Sequence, residues 1–190
     1  MNEYITVDNI FRYKNQNLKI GVLGGSFDPA HYGHIHIATK ASESLRLDEI
    51  WFSISPQNPT KPKHKYEYDE RKKMLSDLIS KFTSFKILEV ESNLGINITS
   101  KLFSYLNQEL PQIKFYFIMG LDIAAKLESW EGFEKLINLV ELVIFSRGGY
   151  IVDEEIAKLL NKYPNIKYIQ VDEVEISSTQ IRNKEQDNDK

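Results

Sequence analysis

The 190-residue sequence predicts a single α/β domain, a doubly wound and mostly parallel sheet with helices on both faces. Three observations predict it. Short apolar runs alternate with longer stretches of helical spacing, the pattern of βαβ units joined by right-handed crossovers. Several runs, KFYFIM at 114–119 and LVELVIF at 139–145, lack strict in–out alternation, as strands covered on both faces do. The run at 18–23 ends in Gly24-Gly25 and passes through a short turn into a helical pattern. Open sheets of this kind place ligands at such points, beyond the strand carboxyl ends.

Composition narrows the class further. Apolar residues at 42% and charged residues at 27% belong to a globular chain with one ordinary core. A net charge of −3 offers no electrostatic case for nucleic acid or for an anionic membrane. No run of about 18 apolar residues occurs and no apolar leader opens the chain, so a cytoplasmic protein is expected. Without cysteine, disulfides and thiol catalysis are excluded.

The elements follow in order. Residues 1–17 are polar and mixed and read as an appendage, packed loosely or partly disordered, whose removal should spare activity. The strand at 18–23 leads through GGSFDPA to a helix at 34–47, with Ile35, Ala38, Ser42 and Leu45 on one side. His31 and His34 stand at its start, where free N–H groups and the macrodipole favour anions, phosphate above all. Three of the four histidines lie between 31 and 36, which makes an incidental pair a poor account of them. Zinc is disfavoured, because the chain offers no cysteine and only His64 besides these. Neither G-x-G-x-x-G nor a P-loop is present.

A strand at 50–54 opens into SPQNPTKPKHKYEYDERKK, where prolines prevent helix and Lys61, Lys63, His64 and Lys65 concentrate positive charge. The segment is either a solvated charged loop or a lid bringing cations over phosphates. A helix at 67–81, a strand at 85–90 and a helix at 99–110 follow, the last opened by an Asn or Thr cap around Asn97 and Thr99. The strand at 114–119 ends in Gly120-Leu121-Asp122, with Trp130 eight residues after the aspartate. Asp122 can accept from ribose hydroxyls or cap the next helix, and Trp130 can belong to the core or to a ligand. A helix at 132–137, a strand at 139–145, a helix at 153–162 and a strand at 166–171 complete the sheet. In EISSTQIRN, residues 175–183, Ser177, Ser178 and Thr179 open a helix with Arg182 one turn on. That is an ordinary cap with a surface arginine, or a second phosphate site. The domain is therefore expected over 18–184, with a polar tail at 185–190.

GGSFDPAHYGH, residues 24–34, resembles the signature of bacterial nicotinate-nucleotide adenylyltransferases, within a nucleotidyltransferase superfamily that shares H-x-G-H. The G-x-D-x₇-W spacing from Gly120 to Trp130 and the I-S-S-T-x-I-R run near the end resemble two further motifs of that family. SRGGY at 146–150 is similar to its x-R-P-G-Y turn, with Gly148 where proline is usual, and the basic loop reads P-K-H-K rather than P-P-H-K. The resemblance implies a Rossmann-like fold and adenylyl transfer from ATP to nicotinate mononucleotide, giving nicotinate adenine dinucleotide and pyrophosphate. It implies that His31, His34 and Arg182 are catalytic. Gly24, Gly25, Ser26, Phe27, His31, His34, Gly120, Asp122, Ser178, Thr179 and Arg182 would bind ATP. Lys61, His64, Lys65, Thr99 and Trp130 would bind the mononucleotide. Mg²⁺ would arrive on ATP, since no carboxylate cage is visible, and a homo-oligomer is left open. The rivals are another transferase of the superfamily, acting on nicotinamide mononucleotide or pantetheine phosphate, and a non-catalytic nucleotide sensor.

Overall fold

The computed structural model describes residues 4–56, 64–147 and 154–171. Their strands are β1 (Tyr4–Ile5), β2 (Lys19–Gly25), β3 (Glu49–Ile54), β4 (Phe85–Leu88), β5 (Lys114–Gly120), β6 (Glu141–Arg147) and β7 (Lys167–Val171). They form one seven-stranded sheet in the order β1-β4-β3-β2-β5-β6-β7, and every pairing is parallel. The chain builds outward from β2 in one direction through β3 and β4, then returns to β2's other edge with β5. The switch point lies between β2 and β5.

Helices α1 (Tyr32–Leu45) and α2 (Tyr68–Ile79) cover one face, α4 (Thr99–Glu109), α6 (Phe133–Leu139) and α7 (Glu154–Lys162) the other, with short α3 (Val90–Leu94) and α5 (Leu121–Ala124) at strand ends. The unbroken apolar run of β5 serves both layers at once. Phe115, Phe117 and Met119 join the core under α4 and α6, whereas Tyr116 and Ile118 join the core under α1 and α2. Loss of visible alternation is thus the sign of a strand buried on two sides.

Helix α1 begins at Tyr32, earlier than spacing suggests, and ends where Arg46 adopts a left-handed φ of 52°. Its buried face is Ile35, Ala38 and Ala41, with Ala41 taking the place expected of Ser42. At α4 the N-cap is Ile98, and no side chain caps the helix, contrary to the expected Asn or Thr cap. The strand expected at 85–90 stops at Leu88 because α3 begins at Val90. The one expected at 139–145 starts at Glu141 because α6 absorbs Leu139.

The amino-terminal segment is part of the fold rather than a loose appendage. Tyr4 and Ile5 pair with Ile87 and Leu88 as an edge strand, and Ile5, Ile10 and Tyr13 are buried. The Tyr13 hydroxyl donates to Glu49 Oε2 at 2.9 Å and accepts from Lys86 Nζ at 2.9 Å. Glu49 also receives the Trp51 indole N–H at 2.7 Å and pairs with Lys86 at 2.9 Å. Burial pushes the Tyr13 phenol up to about 12, so it remains a neutral donor in this network.

Candidate active site

The site begins where β2 runs out. Gly24 and Gly25 lie opposite Ser53 and Ile54 of β3, and Ser55 N–H donates to the Gly25 carbonyl at 2.9 Å. A Cβ on Gly24 would stand 2.8 Å from Phe117 Cε2, so a larger residue here would displace the Phe117 ring that packs against this strand end. Phe27 then adopts a left-handed φ of 49°, a conformation that costs an ordinary residue about 1–2 kcal/mol. Its ring offsets that cost. It is 1% exposed and packs on Phe52 at 5.8 Å and on the His34 ring at 4.8 Å between centroids.

His31 is the N-cap of α1. Its Nδ1 accepts from Gly33 N–H at 3.1 Å, while its own N–H donates to His34 Nδ1 at 3.2 Å. With both Nδ1 atoms accepting, the proton of each neutral ring resides on Nε2, and each imidazole is a donor through that atom. The ring centroids are 3.8 Å apart. Two N–H donors therefore sit side by side at the positive end of a 14-residue helix, an arrangement suited to a polyanion. Beside them the Ser26 hydroxyl is shielded from solvent and meets no hydrogen-bond partner among the described residues.

Asp28 ties this turn to the chain entering α2. Its carboxylate accepts from the N–H groups of Lys65 and Tyr66, each at 3.0 Å, and lies 3.7 Å from His64 Nδ1. His64 and Lys65 are thereby brought to the phosphate turn, with the Lys65 ammonium 5.2 Å from the Tyr66 ring centre. Beneath them is Arg71 of α2, 1% exposed. Its guanidinium donates to four carbonyls: Ser26 at 2.6 Å, Ser55 at 3.0 Å, Tyr66 at 3.1 Å and Pro56 at 3.2 Å. Burial lowers its proton affinity and the Asp28 carboxylate raises it again, yet an arginine stays cationic under either influence.

The other side of the crevice is more apolar. Gly120 at the end of β5 is the N-cap of α5, which puts Asp122 inside the first turn rather than at the cap. Trp130 is half-buried and packs on Phe117 at 6.2 Å, so it contributes to the core as well as to this rim. Thr99 opens α4. On the β3–β4 side lies a pair that the sequence does not advertise, Glu91 of α3 hydrogen-bonded to the buried Ser53 hydroxyl. Burial pushes the Glu91 carboxyl up to about 7, against a smaller opposing effect of the Ser53 bond.

Lys61, Ser178, Thr179 and Arg182, and residues 148–150 of SRGGY, lie outside the described residues. Among the described residues no cluster of three His, Cys, Asp or Glu side chains could hold a metal ion, and no helix is long and apolar enough to cross a membrane. Sequence reasoning missed the hydrogen-bonding parts that Asp28, Arg71 and Glu91 play around the strand ends. Asp28 was within reach, because it sits inside the glycine-to-histidine turn. Arg71 is one cation in the run DERKK, and only the fold separates it from its solvated neighbours.

Residues 22–184 match the cytidylyltransferase-like family. A Clostridium novyi protein named probable nicotinate-nucleotide adenylyltransferase is 35% identical over 175 residues, spanning 87% of this chain and 86% of its own length. A solved structure of Plasmodium falciparum nicotinic acid mononucleotide adenylyltransferase complexed with NaAD superimposes with a TM-score of 0.69 at 28% identity, covering 87% of this chain and 83% of that one. The same enzyme complexed with APC superimposes with a TM-score of 0.66 at 29% identity over the same shares.

Proposed function

The chain belongs to the cytidylyltransferase-like family, among its nicotinate-nucleotide adenylyltransferases, and from that premise we propose that it transfers the adenylyl group of ATP to nicotinate mononucleotide in NAD biosynthesis. A phosphate oxygen of the mononucleotide attacks the α-phosphorus of ATP. One P–O bond forms, the bond to the bridging α–β oxygen breaks, and pyrophosphate leaves with the electron pair. The attacking phosphate is already an anion at neutral pH, so the reaction requires no enzymic base and no covalent intermediate. The protein's task is to align two polyanions and to stabilise charge gathering on the leaving group.

The observation that carries this reading is the locked imidazole pair. In it, His31 and His34 donate Nε2–H to the triphosphate at the amino end of α1. Gly24, Gly25, Ser26 and Phe27 bring backbone N–H groups and a shielded hydroxyl to the same anion. Ser178, Thr179 and Arg182 hold the β/γ end, and Lys61, His64 and Lys65 supply cations from the segment before α2. Gly120 and Asp122 serve the nucleoside, while Thr99 and Trp130 serve the pyridine ring. Magnesium enters as part of the substrate, MgATP. The transferase unit is 18–184, to which residues 4–13 add an edge strand and a buried turn.

Purified protein supplied with ATP, Mg²⁺ and nicotinate mononucleotide should release pyrophosphate, measured by a coupled phosphate assay, and should turn over the nicotinamide analogue more slowly. Equal or faster turnover of the amide would defeat the choice of acid. ATP binding without turnover of either would make the chain a sensor rather than an enzyme.

A further inference from the structure

The buried guanidinium of Arg71 touches no surface, yet all four of its acceptors are main-chain carbonyls at the rim of the site. Ser26 belongs to the phosphate turn after β2, Ser55 and Pro56 to the exit of β3, and Tyr66 to the entry of α2. Backbone carbonyls can be held by water on a protein surface, but beneath the rim a cation with several fixed N–H directions must do it. We propose that Arg71 is a positioning residue for adenylyl transfer, which sets the peptide planes of the phosphate turn from below.

The argument rests on peptide geometry. In a trans peptide the carbonyl and the following N–H point in opposite directions. Holding the Ser26 carbonyl at 2.6 Å therefore turns the Phe27 N–H away from the guanidinium. The left-handed φ of Phe27 needs such a restraint, and Phe27 in turn supports the His34 ring. Asp28 completes the brace, since its carboxylate takes the N–H groups of Lys65 and Tyr66 while Arg71 takes the Tyr66 carbonyl. A lysine keeps the charge but offers one compact ammonium that cannot span four carbonyls.

This inference rests on the proposed transferase reading, so wild type is assayed in parallel: its failure to release pyrophosphate would count against that reading alone. Well below its melting temperature, Arg71→Lys should keep the wild-type circular dichroism yet lose about 10²-fold in kcat, with a smaller change in KM for ATP, as misplaced catalytic groups do. Because Arg71 acts through the turn that carries His34, the same substitution should cost less than tenfold in a His34→Ala background. A kcat for folded Arg71→Lys within twofold of wild type would overturn the proposal. So would effects of Arg71→Lys and His34→Ala that simply multiply, because a purely structural arginine gives that result. A variant that does not fold leaves a measurement on wild type. The Arg71 Nε–H resonance should shift when a non-hydrolysable ATP analogue binds, and an unmoved resonance at saturation would also overturn the proposal.

Discussion

A neutral histidine whose Nδ1 accepts a backbone N–H carries its proton on Nε2, and at His31 and His34 the backbone of the helix start sets that tautomer. Loss of one such donor to a developing oxyanion costs roughly 3–4 kcal/mol, about 10²–10³ in rate. His34→Ala should therefore lower kcat by that order in pyrophosphate-release assays while the protein still folds. His31→Asn should be milder than His31→Ala, because asparagine both caps a helix and donates. Unchanged turnover in His34→Ala would refute the role. The spacing of these histidines after Gly24-Gly25 was readable directly, because chemistry and position coincide there. Arg71 was not. Its neighbours Lys72 and Lys73 have similar side chains, and its importance comes from a helix face that turns it under the β2–α1 and β3–α2 loops.

Among the elements, length decided what could be read. The six longer strands and the helices on either side carry enough residues to show a period, so their existence was plain and only their ends moved. A two-residue strand has no period, and the 3₁₀ turn at Ile10–Tyr13 shows only two buried side chains, so the amino-terminal segment passed for an appendage. It is held by charged and aromatic partners from β3 and β4. Tyr13→Phe leaves the Lys86–Glu49 pair intact but removes a hydroxyl bonded to both. It should lower stability by about 1–2 kcal/mol in urea unfolding monitored by circular dichroism. Removal of residues 1–16 should cost more, since it also strips Ile5 and Ile10 from the core. A truncated chain as stable as the full one would contradict the packing.

For the whole molecule, the balance of stability against pH should carry the mark of Glu91. In the unfolded chain this carboxyl loses its proton near 4.5, and in the fold only near 7. Its contribution is complete below the lower value, declines as pH rises between the two, and is gone above about 7. Each pH step of one between those values removes about 1.4 kcal/mol, so the full loss reaches roughly 3 kcal/mol. Unfolding free energies at pH 5 and pH 8 should therefore differ less in Glu91→Gln than in wild type; an equal difference in the two proteins would remove Glu91 from the account. Parallel strands and two covered faces were legible at this scale, because both follow from local pattern. The order of the strands was not, since pairing β2 with β5 brings Ile20 beside Phe115 across half of the chain. That pairing also has a consequence in time. During synthesis the ribosome delivers β1 through β4 and their helices before Lys114 emerges. Until it does, β2 has one sticky edge with nothing beside it. The strand that ends in the phosphate turn thus lies at the middle of the finished sheet yet completes its pairing only when the second half of the chain has emerged.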